Sequence, residues 1–430
     1  MHSLRVSLRS GLHSTNLSSI PIPFTYLAET FVYTRKLYLD KIAPFVDKPV
    51  IKVITGMRRV GKSYFIRLLM EQLRSRGVHP SNIVYVDKES LDFESIDTHL
   101  DLNELVKSAF AGVPGKKYLF VDEVQEIEQW ERAIASLGGR EDIDIYITGS
   151  NAHLLSSELA TRLSGRCIEV PIYSLSFEEF LVFRSQSEPD VENEFLKYLR
   201  FGGLPAIHHF GFEEEIVYQY INSIYNTILL KDIVKRNSIR NVSLLERINR
   251  YVFDNIGNIF SAKSITDYLK SQRLRVGVDT VQNYVQYLID ALVIYKVPRY
   301  DLKGRRHLEI NEKYFLSDIG MRHALLGYRE ADISGILENI VFLELKRRGY
   351  TLSIGKLGEK EIDFVATREG DKMYVQVAYL LSTEETAERE FAPLQAVADN
   401  YPKYVLSMDR AYGSDREGVR RVYLLDFLTL

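Results

Sequence analysis

The sequence contains little that would crosslink the chain or insert it into a membrane. Of its 430 residues only Cys167 is a cysteine, so a disulfide within the chain and a zinc site built from several cysteines are both excluded. No run of about 18 apolar residues occurs, which argues against a membrane span. The formal net charge is only −3, which excludes a strongly basic, histone-like binder but not a basic patch on one domain. A reducing, cytoplasmic setting is therefore expected.

The length and composition are those of a soluble globular chain with several domains. At about 150 residues per domain, the chain predicts two or three domains. Hydrophobic residues make up 46% and charged residues 26% of the sequence, which is typical of globular proteins. The first 28 residues contain no Asp or Glu. We interpret residues 1–32 as a disordered extension or as the result of a start placed too far upstream, with an organelle-targeting peptide as the alternative.

Short apolar segments alternate with segments of helical periodicity in the first half of the chain. Because alternating strands and helices form a parallel sheet covered on both faces, we expect an α/β domain here. From about residue 189 the sequence is mainly helical, and residues 335–430 again predict a mixture of strands and helices. The strands predicted in the first half cover residues 50–55, 83–86, 118–121 and 143–148.

A glycine-rich turn follows the first predicted strand. Residues 56–63 fit the pattern G-x-x-x-x-G-K-S/T between a strand and a helix, which is the context in which this pattern binds phosphate. The loop N–H groups and the helix N-terminus would contact phosphate oxygens, Lys62 would reach the β- and γ-phosphates, and Ser63 would bind Mg²⁺. The predicted nucleotide-binding residues are Gly56, Arg58, Arg59, Val60, Gly61, Lys62, Ser63 and Tyr64.

Polar side chains follow two further predicted strands. Asp122 and Glu123 end an apolar strand, and a buried carboxylate pair requires cationic partners. We predict that Asp122 binds Mg²⁺ and that Glu123 polarises the attacking water, the alternative being a strand that simply reaches solvent. Ser150 and Asn151 follow the next strand, at the edge where ligands bind in such sheets. Either could sense the γ-phosphate or position the water, and an ordinary turn or helix cap is the alternative.

Two arginines lie in the segment 161–166. An arginine near developing phosphate charge accelerates phosphoryl transfer, so Arg166 is a predicted catalytic arginine and Arg162 a second candidate. The alternative is a pair of surface arginines in a helix and a turn. The predicted catalytic set is Glu123, Lys62, Arg166 and Asn151.

These motifs, together with the segment 175–180, resemble a prokaryotic family of AAA-type ATPases that carry a C-terminal DUF4143-like region. The adjacent Arg58 and Arg59 inside the loop are typical of that family. The resemblance extends from about Arg35 to the C-terminus. It implies ATP as the nucleotide, an AAA-like sheet, and Arg166 as a trans-acting or sensor arginine.

The segment 241–310 predicts helices followed by a hairpin, which is the order of a winged helix. Helices are expected at 262–270 and 281–292, and strands at 294–299 and 307–310. The segment has 11 Lys and Arg against 7 Asp and Glu, and basic side chains at the hairpin tip suit phosphate contacts. The second helix carries no Lys or Arg, which disfavours base-specific recognition. The alternative is a module for protein packing, and the predicted DNA contacts are Lys303, Arg305 and Arg306.

The last hundred residues resemble the restriction-endonuclease-like fold. That fold places a helix Glu, a strand Asp and an E/Q-x-K strand in one site, and Glu338, Asp363 and Gln376 match the first three positions. Ala378 stands where the lysine is expected. Because a two-metal hydrolytic site needs that lysine beside its carboxylates, we predict a degenerate scaffold that could still bind DNA ends or a protein. Candidate replacements for the lysine are Lys346 and Lys360.

The expected architecture is an α/β chain of four folded parts after the extension at 1–32. An AAA-type P-loop domain is expected at 33–188, a helical linker or lid at 189–240, a winged helix at 241–330 and a degenerate restriction-endonuclease-like domain at 331–430. The expected function is Mg²⁺-dependent ATP binding and hydrolysis, coupled to a conformational change on DNA. The alternative is a nucleotide-gated switch or scaffold that acts on a protein partner, without nuclease activity. Either function is compatible with a homo-oligomer.

Overall fold

The computed structural model describes residues 33–155, 165–184, 189–304, 306–410 and 415–429. Of His153, Leu155 and residues 307–311 it describes the backbone alone. The predicted extension at 1–32 lies outside the described residues. Arg35–Leu430 forms one compact unit. Every helix in the described part of the chain is too short or too polar to cross a bilayer.

The first half of the chain forms a parallel sheet, which confirms the predicted α/β class. Its strands lie in the order β2-β3-β4-β1-β5 and all neighbours are parallel. Strands β1, β3 and β4 are buried along their full length because helices cover both faces, which explains their apolar runs. The strands are β1 (Ile51–Thr55), β2 (Ile83–Asp87), β3 (Lys117–Asp122), β4 (Ile143–Gly149) and β5 (Cys167–Pro171).

The helices of this half lie on the two faces of the sheet. One hydrophobic cluster includes Phe65 and Leu69, and a second includes Leu102 and Ile134. The first cluster continues into the helices and the second sheet of the rest of the chain. This continuity explains why residues from both halves pack as one unit. The helices are α1 (Lys36–Ile42), α2 (Lys62–Ser75), α3 (His99–Ala109), α4 (Trp130–Leu137) and α5 (Phe177–Arg184).

The middle of the chain is helical, as the sequence predicts. A π-helix, Ile228–Lys235, continues directly from α7 and brings its residues against the first sheet domain. The helices are α6 (Val191–Phe201), α7 (Glu214–Thr227), α8 (Val242–Asp254), α9 (Ala262–Ser271), α10 (Val278–Asp290) and α11 (Ile319–Leu326).

A second sheet joins the predicted hairpin to the C-terminal strands. Its eight strands lie in the order β13-β12-β11-β10-β9-β7-β8-β6. Antiparallel β7 and β8 form the hairpin, and β7 also pairs with β9 in parallel. The strands are β6 (Ile259–Phe260), β7 (Ile294–Asp301), β8 (Arg306–Leu316), β9 (Thr351–Leu357), β10 (Lys360–Arg368), β11 (Asp371–Val377), β12 (Lys403–Ser407) and β13 (Val419–Tyr423).

Three helices cover this second sheet or end the chain: α12 (Ile333–Arg347), α13 (Glu384–Gln395) and α14 (Leu424–Leu428). Helix α12 also contacts the first half of the chain. The fully buried guanidinium of Arg347 donates hydrogen bonds to the carbonyls of Ser174 and Leu175 at 3.0 and 3.1 Å. Charge-assisted bonds of this kind hold the two halves in register.

Candidate functional site

The glycine loop between β1 and α2 needs its two glycines for different reasons. A Cβ on Gly56 would lie 2.3 Å from the carbonyl oxygen of Ile172, so a side chain cannot fit there. Gly61 has φ +101°, in the region that disfavours L side chains. In the described structure no side chain caps α2, which leaves its first N–H groups available to an anion.

Lys62 points back into this loop. Its ammonium donates to the carbonyls of Gly56 and Met57 at 3.0 and 3.3 Å and lies 3.3 Å from Glu123 Oε1. The side chain is buried. The loop therefore holds a positive charge at the end of β1, and the predicted lysine and strand-end carboxylates share one cleft.

Asp122 ends β3 beside this cleft. Its carboxylate accepts hydrogen bonds from Thr148 and Ser63, and from the Tyr85 hydroxyl at 3.1 Å. Burial raises the pKa of Asp122, although the Ser63 and Thr148 hydroxyls oppose the rise. Hydroxyl and carboxylate oxygens are the ligands that Mg²⁺ prefers. Ser63 and Asp122 therefore fit the predicted metal site.

Glu123 follows with a left-handed backbone, φ +52°. Its N–H donates to Thr148 Oγ1 at 3.0 Å, and its carboxylate accepts from Ser150 at 3.0 Å and from Gln125. Burial disfavours the charged carboxylate, but the Lys62 ammonium and the Gln125 amide outweigh it and hold the pKa of Glu123 at about 2. An unusual backbone conformation supported by several bonds is typical of functional positions.

Thr148 and Gln125 contribute to this arrangement but were absent from the sequence prediction. Thr148 is fully buried and bridges the two acidic residues, because its hydroxyl contacts the carboxylate of Asp122 and the N–H of Glu123. A Cβ on Gly149 would lie 2.4 Å from Gln125 Oε1. The only signal for Thr148 in the sequence is that small residues end the strand after Ile147, which leaves room for the Thr148 hydroxyl in the cleft.

Arg58 is held by carboxylates instead of facing the open side of the loop. Its guanidinium forms two hydrogen bonds, of 2.9 and 3.0 Å, with Asp232 of the π-helix, and a third with Glu89. Burial lowers the pKa of Arg58, and the contacts with Asp232 more than reverse this, so the net shift is upward. The loop is thereby connected to the helical segment, a contact across 174 residues that the sequence did not indicate.

The other predicted loop residues have different environments. Arg59 is exposed with φ +68°, Tyr64 is half-buried, and the side chain of Val60 lies in the core. The carbonyl of Val60 accepts a 3.0 Å hydrogen bond from the buried Arg35, which sequence reasoning missed. Arg35 thus supports the loop from behind.

Asn151 lies at the carboxyl ends of the strands, and Arg166 lies at their amino ends. Asn151 is buried two residues after the end of β4, at the edge that carries Glu123. Arg166 is exposed and precedes β5, and its carbonyl accepts from the N–H of Ile51 at 2.8 Å, where β1 begins. Because the loop follows the other end of β1, Arg166 does not line the cleft of its own chain. Arg162 lies outside the described residues.

The predicted DNA-contacting residues lie around the turn between β7 and β8. Lys303 and Arg306 are exposed, and Arg305 lies outside the described residues. The N–H of Lys303 donates to Asp301 at 3.1 Å, so the turn is locally ordered. Two of the three predicted side chains are therefore accessible to a partner.

The predicted degenerate nuclease site contains a lysine from an unexpected strand. Lys313 of β8 lies 3.0 Å from Glu338, 2.9 Å from Glu361 and 3.5 Å from Asp363. We call these four residues the Lys313 cluster. Burial lowers the pKa of Lys313, but the carboxylates of Glu338, Asp363 and Glu361 more than offset this and raise it. No group of three or more metal-ligating side chains is found in the part of the chain that the structure describes.

Gln376 lies beside this cluster, as predicted. Its amide oxygen accepts from the N–H of Asp363 at 3.3 Å and its nitrogen donates to Glu390 at 3.0 Å. Lys360 instead donates to the carbonyl of Ala392 at 3.2 Å. Lys313 therefore forms ion pairs with the carboxylates of this site from β8, and Ala378 contributes no charge.

Comparison with known proteins gives two family matches and several relatives. Residues 48–181 match the family described as AAA domain, and residues 192–332 match a domain of unknown function, DUF8612. An uncharacterized protein of Haemophilus influenzae is 34% identical over 397 residues, which cover 92% of this chain and 98% of that protein. An uncharacterized protein of Methanocaldococcus jannaschii is 33% identical over 357 residues, covering 79% of this chain and 77% of that protein.

Among solved structures, a Walker-type ATPase of Pyrococcus abyssi superposes with a TM-score of 0.50 at 16% identity, covering 68% of this chain and 95% of that chain. This likeness concerns the fold and agrees with the AAA-type P-loop prediction. The second match carries the description DUF8612, so the expected DUF4143-like designation stays a prediction.

Proposed function

The chain belongs to the family of the Haemophilus influenzae relative and contains an AAA domain at residues 48–181, and on this basis we propose that it binds ATP with Mg²⁺ and hydrolyses it. The observation that carries the proposal is the common cleft of Lys62, Asp122 and Glu123 at the ends of β1 and β3. We also propose that the protein is cytoplasmic and that its domains are divided at residues 188, 240 and 330.

The residues of the cleft divide the work. The N–H groups at the start of α2 and the Lys62 ammonium bind the phosphate oxygens. Ser63 and Asp122 hold the metal, which supplies positive charge against the β- and γ-phosphates when bound. With a pKa of about 2, Glu123 is a carboxylate at neutral pH and orients the attacking water as a hydrogen-bond acceptor. Ser150 keeps that carboxylate in place at 3.0 Å.

Two substitutions test this division. Lys62→Ala removes the ammonium and should abolish binding of a fluorescent ATP analogue. Glu123→Gln keeps the shape but loses the charge, so it should bind ATP and lower the hydrolysis rate on the order of 100-fold. Lys107→Ala on the exposed face of α3 is the control and should behave as the wild type. Equal loss of binding in both cleft variants would refute these roles.

We propose that the contact of Arg58 with Asp232 passes the nucleotide state to the helical segment. The bidentate pair is buried on both sides, so a movement of the loop must either carry the π-helix with it or break the pair. Breaking a buried pair by removing one partner is costly. Limited proteolysis with and without ATP should show nucleotide-dependent protection in the wild type, and Asp232→Asn should lose that difference.

We propose that this nucleotide-dependent movement acts on bound DNA. The exposed Lys303 and Arg306 at the β7–β8 turn support phosphate contacts, together with Arg305. Duplex or forked DNA should stimulate ATP hydrolysis, and the binding should weaken as salt rises. Replacing Lys303 and Arg306 by Ala should remove the stimulation, whereas Lys296→Ala on the same hairpin should not. If DNA neither stimulates hydrolysis nor binds in a salt-sensitive manner, the proposal that the protein acts on DNA is wrong.

A nucleotide-gated switch acting on a protein partner is the second candidate function. The exposed position of Arg166, away from its own cleft, favours a role in a neighbouring subunit or partner. Slow basal hydrolysis with a large ATP-dependent change in assembly, measured by light scattering, would support it. We propose no nuclease activity for either function, because the Lys313 ammonium occupies the space between the carboxylates of the second site and the described residues contain no group of three or more side chains that could hold a metal ion. Plasmid DNA should stay intact with Mg²⁺ or Mn²⁺.

A further inference from the structure

A basic cavity lies where α1 meets the second sheet, away from both lysine sites described above. Its volume is about 660 Å³, within the range of small-molecule sites. Four cationic side chains line it, with Glu369 and Asp371 as its two carboxylates. The cations are Lys41, Arg348, Arg368 and Lys372.

Two of these cations keep unused hydrogen-bond donors. Lys41 donates to the carbonyl of Arg347 at 2.6 Å, and Arg368 donates to the carbonyl of Arg348 at 2.8 Å. Both carbonyls lie at the C-terminal end of α12, which places the two charges side by side. Neither side chain lies within 4.0 Å of a carboxylate in the described ranges. An ammonium has three donors and a guanidinium five, so most of them remain for a ligand.

The charge on Lys41 is opposed by its surroundings. Burial lowers its pKa, and the nearby positive charges of Arg368 and Arg347 lower it further. An anion in the cavity would relieve this repulsion between like charges.

The remaining two cations are less available because each lies near a carboxylate. Arg348 forms an ion pair with Glu344 at 2.8 Å, and Lys372 lies 3.7 Å from Asp399. Lys372 also lies 5.3 Å from the ring centre of Tyr401, which is 44% exposed. The cavity thus combines two cations without a carboxylate within 4.0 Å in the described ranges, two partly neutralised cations and an aromatic wall.

We propose that this cavity binds a phosphate group of an anionic ligand through Lys41 and Arg368. Convergent Lys and Arg side chains match a phosphate, whose oxygens accept several charge-assisted hydrogen bonds at once. The cavity lies at the β10–β11 turn, whereas Asp363 lies near the beginning of β10, so this site is separate from the Lys313 cluster. The phosphate could belong to a free oligophosphate or to the backbone of a nucleic-acid strand.

The test uses the full chain with Lys62→Ala, which silences the nucleotide loop. Inorganic tripolyphosphate is titrated by calorimetry, and a fluorescein-labelled single-stranded 15-mer by anisotropy. Adding Lys41→Gln and Arg368→Gln should weaken binding by at least about tenfold, because two charge-assisted bonds are lost. Arg420→Gln, at an exposed arginine of the same sheet, is the control and should leave binding unchanged. The conservative variant Lys41→Arg, made with Arg368 unchanged, should retain most of the affinity.

The two probes distinguish the sources of the phosphate. If the double variant weakens tripolyphosphate binding but leaves oligonucleotide binding unchanged, the ligand is a free oligophosphate. If the double variant also loses oligonucleotide binding, the ligand is a nucleic-acid strand. The proposal is overturned if neither probe binds at millimolar concentration, or if the double variant binds both as the control does. Melting temperatures of all variants verify that each one is folded.

Discussion

Lys62 and Lys313 are both buried lysines near carboxylates, one at each sheet of the molecule. Lys62 lies 3.3 Å from a single carboxylate, Glu123, and is otherwise held by main-chain carbonyls. Lys313 lies within 3.5 Å of Glu338, Glu361 and Asp363. The same residue type is thus placed in two different electrostatic settings.

The difference lies in what remains unsatisfied around each ammonium. In the glycine loop, the first N–H groups of α2 are uncapped and the lysine has one carboxylate nearby, so the binding of an anion is favoured. In the Lys313 cluster three carboxylates surround one ammonium, and Lys313 and Asp363 are buried, whereas the Glu361 side chain is 32% exposed. Burial and the neighbouring Asp363 raise the pKa of Glu338 well above its usual value. The first site is suited to ligand binding, whereas the second is suited to stabilising the junction of β8 with α12 and β10.

The largest effect we expect is on stability in the Lys313 cluster. Lys313→Met leaves buried carboxylates without their cation, so the free energy of unfolding should fall by about 3–5 kcal/mol. Urea denaturation measures it. Lys296→Met, which removes a half-exposed lysine paired with Glu312 on the adjacent strand, should cost less than about 1 kcal/mol. Equal losses in the two variants would remove the distinction between a cluster that stabilises the fold and a surface pair.

A ligand should stabilise one lysine site without affecting the other. At 100 times its Kd, ATP with Mg²⁺ should add about 2.7 kcal/mol to the free energy of unfolding of the wild type. Lys62→Ala should lose this increment, and Lys313→Met should keep it on a lower baseline. Thermal unfolding at several ATP concentrations gives both values. An increment that disappears in Lys313→Met would show that the two sites are coupled.

The two glutamates should give opposite dependences of stability on pH. Folded Glu338 binds its proton more tightly than the unfolded chain, so its contribution is complete below pH 4.5 and is lost as pH rises. Folded Glu123 has a pKa of about 2, so its contribution is complete above pH 4.5 and is lost as pH falls towards 2.

Each glutamine variant should remove one of these slopes, an effect on the order of 1–2 kcal/mol. Relative to the wild type, Glu338→Gln should gain stability between pH 5 and pH 8, and Glu123→Gln should gain it between pH 5 and pH 3. Urea denaturation across this range measures both. The exposed Glu369→Gln serves as the control. Slopes of the same sign would contradict the proposed environments.

The smallest effect is expected from a divalent metal alone. Because the Lys313 ammonium lies among the carboxylates, Mn²⁺ without nucleotide should change the free energy of unfolding by less than about 0.5 kcal/mol. Lys313→Gln frees those carboxylates and should bind Mn²⁺, which electron paramagnetic resonance detects directly. Tight Mn²⁺ binding by the wild type, lost in Asp363→Asn, would instead reopen the nuclease alternative.

Local patterns predicted the elements that carry the nucleotide site. Strand β1, the loop and α2 follow one another along the chain, and the apolar strand β3 ends at its carboxylates as expected. Each of these features depends on a few adjacent residues, so the sequence pattern suffices. Strands β5, β6 and β9 were missed. Only Val170 is buried in β5, an edge strand, so its sequence has neither an apolar run nor a clear alternation.

Contacts between distant segments were beyond the reach of such patterns. Arg58 appeared to be a phosphate ligand from its place in the loop, yet Asp232 binds it from the π-helix. Lys346 and Lys360 were the candidate replacements for the missing lysine of the second site. Lys313 reaches it instead, because β8 belongs to the same sheet as β10.

The order of residues along the chain determined by itself that a phosphate loop precedes a helix and that two carboxylates end a buried strand, since both depend on backbone propensity and apolar periodicity over short distances. The packing of the two sheets decided which charges face each other. An ion pair between remote segments depends on strand order and helix placement, and these arise from the burial of the whole core. For that reason only the folded chain distinguishes a lysine that can bind a ligand from a lysine that is already neutralised.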